Sequence, residues 1–185
     1  GQTLNGTEAH ERVQLGIGRT FQNALLFDNM TVLENVQVGM HCRTQSGAIR
    51  ALLKSPFERQ EERDITRRAL EILDFFNLTR YSNDYASNLP YGDQRRLEIA
   101  RAMATGARVL LLDEPSAGMN PQETIELVNL IQEIASEGQS ILLIEHDMKL
   151  VMSLSERIFV MDYGKKIAQG TPDEIRNNPA VIKAY

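Results

Sequence analysis

Two short apolar runs restrict what this chain can fold into more than any other feature. Val109-Leu110-Leu111-Leu112 and Ile141-Leu142-Leu143-Ile144 are each four residues long and unbroken. Each ends abruptly in ionisable residues: Asp113-Glu114 after the first, Glu145-His146-Asp147 after the second. Runs of this length without polar alternation read as strands buried on both faces. Between them, residues 121–136 carry apolar side chains at helical spacing behind Pro121, which suits a first helical turn. A strand, one helix and a second strand form the pattern of neighbouring parallel strands. In an open sheet of this kind, ligands bind beyond the carboxyl ends of the strands. Both acidic ends therefore point to one crevice.

The first half of the chain reads as helical. Thr31 and Glu34 have the spacing of a capping box opening a helix that runs to Met40. Residues 58–77 form an amphipathic helix with Ile65, Ala69, Ile72, Leu73 and Phe76 on one face. The charge run at 58–68 is its solvated side. A further helix is expected from about Asp93 to Ala104, with Asp93 at the favourable, positive end of the dipole. A short helical pattern spans residues 8–15, and Gly47 and Pro56 act as breakers. After the second apolar run come a short helix at 148–155, a hairpin turning at Tyr163-Gly164 and a short helix at 172–177.

Composition narrows the classes. With 185 residues, 42% apolar and 24% charged, the chain is long enough to bury a core of its own. Twenty Lys and Arg against 25 Asp and Glu leave a net charge of −5, which argues against nucleic-acid binding by global charge. No apolar run reaches transmembrane length. The one cysteine, Cys42, excludes an internal disulfide and suits a reducing compartment. No signal peptide is visible, and the first residue is Gly1 rather than Met, as expected of a processed chain or a piece of a longer one.

The chemistry gathers at the strand ends. Four aliphatic residues followed by Asp-Glu form the Walker B pattern, in which one carboxylate ligates Mg²⁺ and the next reaches an attacking water. The plainer reading is a strand ending in a polar turn. His146 taken alone would be a structural histidine. A metal-dependent hydrolase built on Asp113, Glu114 and His146 is a third reading, but two carboxylates and one imidazole form no closed cage. His10, His41 and Cys42 show no partners in the sequence, and the seven scattered methionines read as packing.

Five elements stand in a fixed order: Arg19-Thr20-Phe21-Gln22, Leu89-Pro90-Tyr91-Gly92-Asp93-Gln94-Arg95-Arg96, the run from Val109 to Glu114, Ser116-Ala117-Gly118-Met119-Asn120, and Glu145-His146-Asp147. Together they resemble the ATPase subunit of ATP-binding cassette (ABC) transporters along essentially the whole chain. Gly16-Ile17-Gly18, Met30-Thr31-Val32, Leu97-Glu98-Ile99-Ala100-Arg101, the Tyr-Gly form of the signature and the ending from Gly170-Thr171-Pro172 to Tyr185 are similar to one subgroup. That subgroup is the ATPase subunit of bacterial importers for branched-chain and related hydrophobic amino acids.

The resemblance implies an α/β fold: a P-loop NTPase core with an α-helical subdomain. Residues 1–24 would be the remnant of an N-terminal β region with the Q-loop, 25–105 the helical and signature subdomain, 106–170 the RecA-like core, and 171–185 a terminal helix and tail. It implies ATP and Mg²⁺ as ligands. Glu114 would be the catalytic carboxylate and His146 the switch histidine at the γ-phosphate. Gln22, Leu89, Gly92, Asp93, Gln94 and Asn120 would contact nucleotide, and Asp113 with Gln22 the metal. Partners would be a second ATPase subunit in a head-to-tail dimer, membrane-spanning permease subunits and, indirectly, a periplasmic binding protein, but no nucleic acid. The site of action would be the cytoplasmic face of the bacterial inner membrane.

Two departures qualify this. No G-x-x-x-x-G-K-[ST] occurs in the 185 residues, so the chain is expected to be the C-terminal part of a subunit, inactive alone. Pro90 and Tyr91 stand where the broad family has Ser and Gly, removing a hydroxyl and an N–H. In the family, the P-loop strand pairs with the strand before the switch histidine. Residues 140–144 are therefore expected to have a bare edge that self-associates or is covered by the amino-terminal segment. Other readings are an ABC ATPase of another substrate class, such as lipid or polysaccharide export, and a non-catalytic docking module.

Overall fold

The computed structural model describes residues 4–20, 25–41 and 56–184; Gln22, Cys42 and the breaker Gly47 lie outside the described residues. The chain divides into two compact units, Gly1–Ile144 and Glu145–Tyr185.

In the first unit, helix α1 (Ala9–Gln14) leads into strand β1 (Ile17–Arg19). Three helices follow: α2 (Val32–His41), α3 (Pro56–Phe75) and α4 (Tyr91–Ala104). The expected capping box opens α2: the Thr31 N–H donates to Glu34 Oε2 at 2.7 Å, and the Glu34 N–H to Thr31 Oγ1 at 3.2 Å. These bonds, the backbone one foremost, hold the Glu34 carboxyl below its usual range. Helix α2 packs on both α3 and α4. Val32, Val36, Ala69, Leu73, Phe76, Leu97 and Ile99 are buried in this part of the core. Gly39 sits where α2 meets α4; a Cβ there would run into the Arg101 carbonyl. Asn35 is wholly buried and ties down the preceding loop. Its Oδ1 accepts from the Phe27 N–H at 3.0 Å, and its Nδ2 donates to the carbonyls of Phe27 at 3.1 Å and Thr31 at 3.0 Å. Helix α4 begins two residues before the expected Asp93, because Pro90, extended at ψ 150°, serves as its N-cap.

Strands β2 (Val109–Asp113) and β3 (Ser140–Ile144) complete a parallel sheet of order β1-β2-β3. Ile17 stands opposite Val109, and Asp113 opposite Ile144. The expected crossover is helix α5 (Pro121–Ser136), which buries Leu127, Leu130, Ile131 and Ile134 at helical spacing.

Burial of β3 on both faces is not found: Leu142 is 53% and Ile144 55% exposed. Among the described residues β3 is an edge strand, paired with β2 only. The amino-terminal strand β1 lies at the opposite edge, against β2, and not over β3.

The second unit holds α6 (Met148–Leu154), the antiparallel pair β4 (Ile158–Asp162) and β5 (Lys165–Gly170), α7 (Pro172–Arg176) and α8 (Pro179–Ala184). Tyr163 and Gly164 take φ of 43° and 75°, the two positive values of a type I′ turn. Ile158, Val160, Ala168, Ile175 and Val181 form its core. No helix among the described residues is long and apolar enough to cross a membrane.

Candidate functional site

The end of β2 is built by backbone geometry. Beyond β1, the Thr20 N–H donates to the Leu111 carbonyl at 2.9 Å, and the Asp113 N–H donates to Thr20 Oγ1 at 3.3 Å. Thr20 is 3% exposed, so its hydroxyl is fixed beside the strand end. The Asp113 side chain is 24% exposed and pairs with Arg19 Nη2 at 3.1 Å. No local signal in the sequence joins Arg19 to Asp113; the register of Arg19 opposite Leu111 supplies the contact.

Glu114 takes φ 45°, the left-handed region that non-glycine residues seldom enter. Its N–H donates to the Ile144 carbonyl at 2.9 Å, continuing the β2–β3 ladder by one bond. Its own carbonyl accepts from the Ala117 N–H at 3.1 Å, which closes a turn. The strand thus stops at Asp113 and the chain reverses over residues 114–118, with the Glu114 side chain at the strand's carboxyl end.

The signature residues stand at the start of α4. By helix geometry, the N–H groups of Tyr91, Gly92 and Asp93 have no partner within the helix; the first intrahelical bond runs from Gln94 to the Pro90 carbonyl at 3.0 Å. Leu89 is 5% exposed, and its carbonyl accepts from Gln94 Nε2 at 2.9 Å. Asp93, 13% exposed at its side chain, lies 3.5 Å from Arg96 Nη1 and 4.0 Å from Arg80 Nη2. Gly92 is buried, and a Cβ on it would come within 3.1–3.2 Å of the Glu123 side chain on α5.

Asn120 is the N-cap of α5. Its Oδ1 accepts from the N–H groups of Gln122 at 2.9 Å and Glu123 at 3.0 Å, and its own N–H donates to Glu123 Oε2 at 2.9 Å. The signal for that capping box is local, in Asn120-Pro121-Gln122-Glu123. Further along, Arg96 bonds Glu126. Gln122 first, and Arg96 after it, hold the Glu126 carboxyl below its usual range.

The structure therefore brings the start of α4, the turn after Glu114 and the start of α5 together. A second link is Tyr91, whose hydroxyl donates to the Ala117 carbonyl at 2.8 Å. In the second unit, the His146 side chain is 72% exposed, with Nδ1 4.0 Å from Glu145 Oε2; the Glu145 side chain itself is fully buried. Asp147 caps α6, accepting from the Lys149 N–H at 2.8 Å. His10, without an evident partner in the sequence, lies 3.4 Å from Glu8.

Among the described residues no group of three or more His, Cys, Asp or Glu is placed to hold a metal ion by itself. Asp113 offers one hard carboxylate at a strand end, and Mg²⁺ carried by a nucleotide needs one or two carboxylates besides phosphates and waters.

The structure places ionisable residues at the carboxyl end of a parallel-sheet strand, and comparison with known proteins supplies the family. The family model described as ABC transporter matches residues 1–117, and one described as branched-chain amino acid ATP-binding cassette transporter matches residues 165–185. The chain belongs to the ABC transporter ATPases, the ATP-hydrolysing subunits of membrane transporters. It is 50% identical over 183 residues to the high-affinity branched-chain amino acid transport ATP-binding protein LivG of Salmonella typhimurium, covering 98% of this chain and 72% of LivG. It is 48% identical to the corresponding protein BraF of Pseudomonas aeruginosa, covering all of this chain and 73% of BraF. Among solved structures, the ATP-binding cassette MJ1267 superposes with a TM-score of 0.80 at 29% identity, covering 98% of this chain and 73% of that one.

Proposed function

We propose that this chain belongs to the ATP-hydrolysing subunit of an importer for branched-chain or related hydrophobic amino acids, and that it couples hydrolysis to their transport. The observation that carries the substrate class is the half-identity to LivG and BraF along the whole chain. In this reading two such subunits pair head to tail on the cytoplasmic face of the inner membrane. The helical region docks on permease subunits, and a periplasmic binding protein delivers the substrate.

Residue roles follow from position. Glu114, at the carboxyl end of β2, polarises the attacking water. Its left-handed backbone turns the chain away behind it. Asp113, with Gln22, would hold Mg²⁺, which supplies charge neutralisation to the β- and γ-phosphates. Arg19 holds the Asp113 carboxylate in place. The α4 start, through the Gly92 and Asp93 amides, faces the γ-phosphate of the partner subunit's nucleotide, and the helix dipole favours that charge. Leu89 and Gln94 act by shaping the loop before α4, since they bond each other. Asn120 holds the D-loop as a cap, and His146 contacts the γ-phosphate.

The test is made on the transporter with its subunit complete. Glu114→Gln is expected to keep ATP binding and lose at least a hundredfold in turnover, since the amide fills the same space but is a poor base. His146→Ala is expected to lose about tenfold or more. Near-normal hydrolysis by Glu114→Gln would remove Glu114 from the catalytic role. A polypeptide of these 185 residues alone, with no P-loop sequence in it, is expected to release no phosphate above its own Glu114→Gln control.

A further inference from the structure

The signature helix carries a polar relay that is buried at Arg95 and Glu98 and reaches the surface at Tyr91, which is 40% exposed. Tyr91 is the first residue of α4, Arg95 lies one turn on and Glu98 three residues later, so the three share one face. Arg95 is 3% exposed and Glu98 2% exposed. A buried guanidinium is tolerated only with its donors satisfied. Arg95 Nε and Nη2 donate to the Tyr91 hydroxyl at 3.0 Å and 2.7 Å, and Nη1 pairs with Glu98 Oε2 at 3.3 Å. With both guanidinium bonds accepted, the hydroxyl's single proton is directed outward. It goes to the Ala117 carbonyl at 2.8 Å.

Ala117 is no arbitrary acceptor. Its own N–H closes the turn on the Glu114 carbonyl at 3.1 Å. One residue on, Gly118 takes φ 79°, and a Cβ there would lie 3.2–3.4 Å from the Tyr91 ring. The ring therefore packs against the turn and the hydroxyl grips it. A strained residue such as Glu114 persists only where its surroundings over-determine it. Two contacts that contribute are the Ile144 carbonyl on one side and the Tyr91-held turn on the other.

We infer that Tyr91 is a positioning residue for hydrolysis: its hydroxyl, itself oriented by Arg95 and Glu98, clamps the 114–118 turn to the start of α4 and so fixes the Glu114 carboxylate. The inference rests on the assignment of Glu114 above. It also accounts for the tyrosine in this signature, where a smaller residue would leave the turn unheld.

Tyr91→Phe keeps the ring and removes the clamp. In the complete subunit within its transporter, kcat for ATP hydrolysis is expected to fall about tenfold, with KM for ATP within twofold of the unaltered protein. Amide exchange at residues 117–119 should quicken, while residues 97–102 in α4 stay protected. A purely structural tyrosine would raise exchange throughout and leave kcat per folded molecule unchanged. Loss of this acceptor takes the Tyr91 oxygen from Arg95 Nε and Nη2, a cost that can prevent folding. In that event Tyr91→Phe with Arg95→Met and Glu98→Met, which replaces the buried ion pair by apolar side chains, is expected to fold and show the same kcat loss. Glu114→Gln is run beside them. If it abolishes turnover and the tyrosine variants keep kcat within twofold, the clamp is refuted and the catalytic assignment stands. If Glu114→Gln itself retains turnover, both fall.

Discussion

Glu114 joins an unfavourable backbone to a required side chain. An L-residue in the left-handed region is destabilised by roughly 1–2 kcal/mol, and branching at Cβ worsens the crowding. Glu114→Val, which adds that crowding, is therefore expected to lower stability to urea by about 1 kcal/mol, whereas Glu114→Gln stays within about 0.5 kcal/mol. Equal urea midpoints for the two variants would mean that branching at Cβ adds no strain at φ 45°. The identity of this residue was legible in the sequence, because aliphatic residues followed by two carboxylates mark a strand end. Its conformation was not, because it depends on the Ile144 carbonyl thirty residues away. The same holds for Arg19 and Asp113, joined only through the register of β1 on β2. Tyr91, Arg95 and Glu98 could have been seen as one helix face, yet only the fold shows that the face meets Ala117.

Elements were legible where the signal is local. The Thr31 and Glu34 capping box, the apolar stripe of α3, Pro121 opening α5 and the Tyr163-Gly164 turn all depend on residues within a few positions of one another. Packing between elements left fainter marks. Gly39, inside α2, looks like a weak point, since glycine in a helix interior is worse than alanine by about 1 kcal/mol. Its neighbours reverse that judgement. A Cβ at 39 would strike the Arg101 carbonyl and lie 3.0 Å from Ala104 Cβ, and neither backbone nor a short side chain can swing aside. Gly39→Ala is expected to destabilise the protein by about 1–3 kcal/mol despite the better helix propensity. A rise in the urea midpoint for this variant would show that α2 and α4 are not held as closely as the structure has them.

At the scale of the molecule, the parallel sheet was expected and its exposure was not. A run of four apolar residues predicts burial on both sides, because such strands ordinarily lie between layers. Strand β2 buries one face, at Leu110 and Leu112, and half-buries the other, at Val109 and Leu111, while β3 leaves Leu142 and Ile144 more than half exposed beside an unpaired edge among the described residues. Nothing along Ser140-Ile141-Leu142-Leu143-Ile144 blunts that edge: it has no proline, no charge and no bulge. Natural sheets protect such strands with one of these devices or with a cover. The amino-terminal strand does not serve, since it is held at the other edge by the Ile17–Val109 register. A polypeptide of these 185 residues is therefore expected to associate through β3, its scattering mass rising with concentration. Leu142→Lys with Ile144→Lys places two like charges on the exposed face without entering the buried side of the sheet. Copies stacked there would repel and expose the lysines to desolvation, so the doubly substituted chain is expected to remain monomeric over the same range. A monomer of the unaltered chain with slow amide exchange at Leu142 and Leu143 would refute this, because a bare edge cannot protect its own amides.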